Sequence, residues 1–275
     1  FNIKQKQEVI SMKKFLGVLA VLTAVNLYAH NQFIYTDTLD VTGKTSVPFK
    51  VIFGHPYHGG EDKPIPVGKV KDKTHLAEKV FAVHNGEKID LTKKVKEGQL
   101  KTEKASGRTL DFVVDSELKG AGDWVIIAVP GQTFDDSISY TFNGIVKTVI
   151  TKDGSKGDDW KKRVADGYYE IIPFTNPSMV NVNSVFKGRL VDKKGNPMKN
   201  VDISVNYVNG KLDTAKGTFT GKYQKEKVSM STYTDDNGYF VLSFPHKGLW
   251  SIRGKAFVDR DKKYVEDTTL LIEVK

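Results

Sequence analysis

The sequence predicts an all-β protein built from two β-sandwich-like domains, and three observations carry that expectation. Short runs in which apolar and polar residues alternate recur along the chain. Gly, Asn and Pro separate these runs, as tight turns require. Beyond Val25 no long stretch keeps the 3.6-residue apolar period of an amphipathic helix.

In chain order, Val47 to Phe53 is a first β-rich run that ends at a histidine-bearing loop. Val80 to His84 and Glu87 to Leu91 flank Asn85-Gly86, a dipeptide that tolerates the positive φ angles of a hairpin turn. Leu110 to Val114, Trp124 to Val129 and Ile138 to Ile150 follow as strands, punctuated by Gly120, Gly122, Pro130-Gly131 and Asn143-Gly144. Asp158 to Val164 is expected as one short helix. A second block opens with Val185 to Val191, the turn Lys194-Gly195-Asn196-Pro197, and the alternating Val201, Ile203, Val205 and Tyr207, which leave one face apolar and the other wet. After a polar stretch at 209–230 come Thr232-Tyr233-Thr234, the turn Asp235-Asp236-Asn237-Gly238, and strands at Tyr239 to Phe244, Leu249 to Phe257 and Thr268 to Val274. The boundary is placed within Pro173 to Asn183. It leaves an N-terminal β domain at 30–173 and a C-terminal domain of immunoglobulin or transthyretin type at 184–275.

Residues 1–29 stand apart. Met12-Lys13-Lys14 opens a basic stretch, Phe15 to Val25 is apolar or small throughout, and Leu27-Tyr28-Ala29 offers a signal-peptidase site. They are read as upstream residues plus a cleaved signal peptide, which implies a periplasmic protein. The apolar run is shorter than the about 20 residues a membrane helix needs, so the mature chain is expected to span no membrane. Cysteine is absent, which excludes thiolate metal sites, cysteine nucleophiles and a lipid-anchored cysteine. Any metal is then held by nitrogen and oxygen ligands. Of the formal charge of +9, Lys4, Lys6, Lys13 and Lys14 against Glu8 account for +3, leaving +6 on residues 30–275. Its lysines are scattered among acidic neighbours with no basic stripe interleaved with aromatics, so nucleic acid is not an expected partner.

Cleavage after Ala29 makes His30 the first mature residue, and its α-amino nitrogen and Nδ1 then close a chelate ring on one metal ion. Phe53-Gly54-His55-Pro56-Tyr57-His58-Gly59-Gly60 adds two imidazoles at i and i+3 in a Pro/Gly loop that can turn both rings together. Glu61 or Asp62 can add an oxygen. The expected ligands are therefore His30, His55, His58 and Glu61, and the expected cargo is a divalent nickel, cobalt or copper ion, since neutral imidazole suits all three. The bland alternative is that His55-Pro56 only shapes a turn and His30 frays as a terminus. His84 is expected as a surface hairpin residue and His75 as a solvated one. His246, in a turn after Pro245, is the position from which the C-terminal domain would reach the site. Asp235-Asp236-Asn237-Gly238 is a β-turn rather than a calcium loop, because Lys247 stands where a bidentate Glu is needed. Trp124, Trp160 and Trp250 are expected as core or rim aromatics. No nucleotide-binding glycine loop, nucleophile elbow or zinc-protease helix is present, and no carboxylate pair stands out as acid and base, so no enzyme is expected.

Several pieces in this order resemble one bacterial family. They are Ala29-His30; Phe53-Gly54-His55-Pro56 with Gly59-Gly60-Glu61; Gly122-Asp123-Trp124 leading to Val129-Pro130-Gly131; Tyr169-Glu170-Ile171-Ile172-Pro173; Asp192 to Pro197; Thr234 to Phe240; and Gly248-Leu249-Trp250. Together they resemble the exported domain-of-unknown-function family labelled NikM-like. The resemblance implies a periplasmic component of cobalt or nickel uptake that works with a membrane metal-transport complex. Members often carry a tryptophan shortly after the mature histidine, where this chain has Phe33. Two other functions compete with metal capture or delivery: a structural or adhesive β-sandwich without metal, and a copper oxidase with a histidine brace. No axial Tyr at a fixed spacing and no polysaccharide-binding face supports the oxidase. Metal analysis separates the adhesive reading from the other two, and peroxide-driven oxidation separates the oxidase from the carrier.

Overall fold

A computed structural model describes residues 30–275; the signal peptide read from the sequence lies outside the described residues. Asn31–Lys275 forms one compact unit, and His30, the residue before its first strand, falls outside it. Among the described residues no helix is long and apolar enough to cross a membrane.

The architecture is all-β. The first block carries β1 (Asn31–Tyr35), β2 (Val47–Gly54), β3 (Lys69–Val70), β4 (Lys73–Thr74), β5 (Lys79–His84), β6 (Glu87–Asp90), β7 (Lys96–Lys101), β8 (Ser106–Val114), β9 (Gly122–Val129), β10 (Thr133–Asp135), β11 (Tyr140–Lys152) and β12 (Glu170–Pro173). The second carries β13 (Val185–Val191), β14 (Asp202–Tyr207), β15 (Lys211–Asp213), β16 (Thr218–Thr220), β17 (Ser229–Tyr233), β18 (Tyr239–Ser243), β19 (Gly248–Asp259) and β20 (Tyr264–Val274). The expected hairpin is β5–β6, with Asn85 and Gly86 at φ 52 and 77, as a mirror-image turn demands. The short helix expected over Asp158 to Val164 is only a 3₁₀ turn at Asp159–Lys161. It stops because the Glu170 carboxylate accepts the Val164 and Ala165 amides at 3.0 and 2.9 Å, donors that a continuing helix would use.

The two blocks share sheets. A nine-stranded sheet runs β17–β14–β19–β20–β11–β9–β5–β6 with β10 on β11, and its seam is a parallel ladder from Thr141↔Tyr264 to Thr148↔Leu271. A six-stranded sheet runs β1–β2–β8–β7–β16–β15, so two strands of the second block close the sheet of the first. Those two strands lie inside the polar stretch 209–230, where runs of three residues leave no periodic signal. A three-stranded sheet, β12–β13–β18, covers the far face of the nine-stranded one.

Strand alternation explains the layers. Phe186 and Leu190 on β13 and Phe240 and Leu242 on β18 point inward against Ile203, Val205, Trp250, Ile252, Leu270 and Ile272, all in one buried cluster. A smaller cluster joins Phe81, Val83, Val125, Ile127 and Val149. On the other face of the nine-stranded sheet, Phe53 meets Phe142 edge-on at 5.0 Å. There Asn31 donates to Ser251 and accepts from Thr269 at 3.0 Å, tying β1 across to β19 and β20.

The boundary expected within Pro173 to Asn183 thus falls between two strands of one antiparallel ladder, Ile171↔Leu190 among its pairs. Ile171 is fully buried in the second block's cluster. A fragment starting at residue 168 is therefore expected to melt several degrees above one starting at 184, because it restores the β12–β13 pairing and a buried isoleucine worth about 2 kcal/mol. Equal melting temperatures for the two fragments in circular dichroism would show that β12 does not belong to that core.

Candidate metal centre

The site forms where β2 runs out. His55 keeps an extended backbone (φ −109, ψ 93), and Pro56 then opens a 3₁₀ turn over Pro56–Glu61. Proline suits that first position, since its fixed φ matches the turn and its missing amide would be unpaired there. The His58 amide donates to the His55 carbonyl at 2.9 Å, which winds the two side chains onto one side. Their rings lie 4.8 Å apart between centroids, tilted by 44°.

Asp62 closes the cluster. Only 2% exposed, it accepts the His55 amide on both oxygens at 3.0 and 3.1 Å. Its Oδ1 lies 3.3 Å from His55 Nδ1 and 4.0 Å from His58 Nδ1. The carboxylate folds over Gly54, where a Cβ would sit 2.0 Å from Asp62 Oδ2. One ligand atom from each of His55, His58 and Asp62 falls within 4.8 Å of the other two. This donor set fits a borderline divalent ion in two modes. Asp62 ligates directly, or it accepts from His55 Nδ1–H and so aims Nε2 outward, as carboxylates behind metal-bound histidines do.

The second block supplies the wall behind the loop. Asn209, fully buried after β14, donates its amide to the Pro56 carbonyl at 2.9 Å and its side-chain NH₂ to the Tyr57 carbonyl at 3.1 Å. Gly60 donates to the Gly221 carbonyl at 2.9 Å. Gly59 breaks the turn at φ 58, ψ −135, and a Cβ there would lie 1.9 Å from the Asn209 carbonyl oxygen. Any side chain at 59 would have to push the two blocks apart.

Burial, then the neighbouring His55 and Lys227 charges, push the His58 imidazole down to about 4, with Asp62 opposing the shift. Ligation requires a neutral ring, and the fold keeps the His58 ring neutral through mildly acidic pH. The same shift links pH to stability. The folded value lies below the reference of about 6.5, so the unfolded chain binds the extra proton between the two. Stability from this group is complete above about pH 6.5 and is lost as pH falls toward 4. The metal-free His58→Gln protein is expected to show a shallower fall in melting temperature over that window. An unchanged slope would assign the acid sensitivity elsewhere.

Of the expected ligands, His55 and His58 converge. Glu61 turns outward, 3.8 Å from Lys104 Nζ and 3.5 Å from Lys222 Nζ, and Asp62 occupies the oxygen position beside the rings. Nothing in the sequence ranks 62 above 61. The choice follows from the turn, which points consecutive side chains in different directions.

The other histidines do different work. His84 is buried rather than on the surface: its ring stacks on Trp124 at 3.9 Å and 2°, Nδ1 lies 3.0 Å from the Asp123 carbonyl and Nε2 2.9 Å from Asn85 Nδ2. Hairpin position alone could not reveal that, because the covering indole comes from β9. His75 sits with its ring nitrogens 2.9 and 2.7 Å from the Leu76 and Gln132 carbonyls. His246 packs on Tyr207 at 6.1 Å, outside the cluster. The Asp235 carboxylate accepts the Asn237 and Tyr239 amides at 2.9 and 2.8 Å, the expected β-turn. Trp124 and Trp250 are core residues.

No protein of curated function matches the sequence. Among solved structures the chain is similar to a 1.5-MDa bacterial ice-binding adhesin, with 11% identity over 90% of this chain and 64% of that one at a TM-score of 0.24. It is similar to dimeric latent PorU of Porphyromonas gingivalis (9% identity, 90% and 21% coverage, TM-score 0.23). It is also similar to the adhesin InvE of Yersinia pseudotuberculosis (10% identity, 90% and 59% coverage, TM-score 0.22). The chain spans less than two thirds of the length of each, and none of these likenesses bears on function. The family model described as "Domain of unknown function (DUF4198)" matches residues 27–255, a span that contains the whole histidine loop and the strands that hold it. This chain belongs to the DUF4198 family.

Proposed function

We propose that this chain is an exported, periplasmic metal-binding protein, not an enzyme, that captures Ni²⁺, Co²⁺ or Cu²⁺ and delivers it for uptake to a membrane metal-transport complex. The observation that carries the reading is the convergence of His55, His58 and a 2%-exposed Asp62. Exposed acidic clusters are ordinary on protein surfaces. A buried carboxylate against two imidazoles, one of them held neutral, supports the reading because it offers the nitrogen and oxygen donors such an ion takes.

The reading includes His30 as a fourth group. Cleavage after Ala29 would leave it an amine and an imidazole, the two nitrogens of one chelate ring.

Calorimetric titration of protein 30–275 with the three ions tests this. Adding one residue before His30 turns the amine into an amide, and affinity is expected to fall by about tenfold or more through loss of the chelate ring. Equal affinity for native and extended forms removes His30 from the site. Absence of binding by both removes the function.

A further inference from the structure

Residues 209–228 leave β14, pass through β15 and β16 on the six-stranded sheet, and return to β17. This excursion shares the hold on the metal loop's main chain with Thr102 and Glu103 of the first block, whose hydroxyl and amide donate to the Asp62 and Gly60 carbonyls at 2.7 and 2.8 Å. Asn209 takes the Pro56 and Tyr57 carbonyls and Gly221 takes the Gly60 amide, while His58 to His55, Asp62 to Gly59 and the His55 amide to the Asp62 carboxylate are internal. Asn209 also fixes the far end of the excursion: its side chain donates to the Gln224 carbonyl at 2.9 Å and accepts the Gln224 amide at 2.7 Å. One buried amide thus grips the loop on one side and the 221–228 segment on the other. That segment belongs to no strand or helix, and it carries the exposed Lys222, Lys225 and Lys227, the last with Nζ 5.5 Å from the Tyr57 ring centroid.

We propose that Asn209 is a positioning residue that couples metal occupancy of the His55–His58–Asp62 site to docking of the 221–228 segment, so that a bound ion is reported on the protein's surface. The inference rests on the metal site proposed above. Its physical basis is linkage. The rings converge only while the loop keeps its turn, and the docked excursion supplies the partners of the Pro56 and Tyr57 carbonyls and the Gly60 amide in that turn. An ion that binds only this conformation tightens the excursion by the same factor by which the excursion tightens the ion. The consequence is a surface at 221–228 that differs between loaded and empty protein, the property a transporter needs in order to accept one and ignore the other.

Limited trypsin digestion, with cleavage after Lys222, Lys225 and Lys227 followed by mass spectrometry, reads the docking directly, and Ni²⁺ titration reads the site. In the wild type, saturating Ni²⁺ is expected to slow cleavage at these lysines several-fold. Asn209→Ala is expected to be cut faster without metal, to bind Ni²⁺ about tenfold more weakly, and to regain protection when saturated. His55→Ala should show no effect of Ni²⁺ on cleavage. Should Asn209→Ala fail to fold, Asn209→Ser keeps a small neutral hydroxyl in the site while withdrawing the reach to Gln224 and Tyr57. Wild-type Ni²⁺ affinity in a folded Asn209 variant, or normal binding without protection of 221–228, overturns the coupling while leaving the metal site standing. A wild type that binds none of the three ions overturns both.

Discussion

Glu170→Gln is expected to destabilise the protein by about 3–5 kcal/mol, the typical loss when one partner of a buried ion pair is removed. Glu170 and Lys147 are 0% and 1% exposed in their side chains, with Oε1 and Nζ 2.6 Å apart. Lys147 stands on β11 in the nine-stranded sheet and Glu170 opens β12 in the three-stranded one, so the pair fastens two layers. Glutamine leaves an ammonium group buried without its counter-charge and puts an NH₂ or a weaker acceptor against the Val164 and Ala165 amides. For a chain of this size the melting temperature should drop by on the order of 10 °C. Lys147→Met is expected to be comparably severe. The double variant should lose clearly less than the sum, since each change then removes the reason for the other's cost. Additive losses, or a change within about 1 kcal/mol for Glu170→Gln alone, would show that the pair is not coupled as the geometry requires.

His55→Ala is expected to lower affinity for Ni²⁺ by at least about a hundredfold, because His55 lies in the cluster with His58 and Asp62 and its ring is within reach of both. Asp62→Asn should lose about tenfold to a hundredfold, whether Asp62 ligates or aims His55. Glu61→Gln, whose carboxylate faces Lys104 and Lys222, should change little. The pH dependence separates the ligands. His58 stays neutral down to about 4, so it does not weaken binding between pH 7 and 5. An α-amino group with a reference value near 8 must lose a proton to ligate at any pH in that range. Affinity should therefore fall with pH in the native form, and the amino-extended form should show a slope of log affinity against pH smaller by about one. Parallel slopes would mean that the amine is not a ligand.

Much of the fold was legible because side-chain alternation is a local property. β13 spans Val185–Val191 as the pattern indicates, and the Asn85-Gly86 turn follows from which residues accept positive φ. The histidine loop was legible for a similar reason: Pro56 and Gly59-Gly60 punctuate the chain, and i, i+3 spacing brings two rings together in any tight turn. His84 was not, since its burial depends on Trp124 from a strand some forty residues away.

By itself, then, the sequence determined the all-β class, the positions of the longer strands and the pair His55 and His58. These depend on neighbours a few residues apart. Tertiary structure alone decided that β11 and β20 join both blocks in one sheet, that β15 and β16 cross to the first block, that Asp62 rather than Glu61 faces the rings, and that Asn209 holds the loop in place. The Asp62 choice turns on the backbone path of one short turn, while the others depend on groups far apart in the chain (Asn209 to Tyr57 spans 152 residues), brought together by burial of apolar faces that carry no record of their partner in the local pattern.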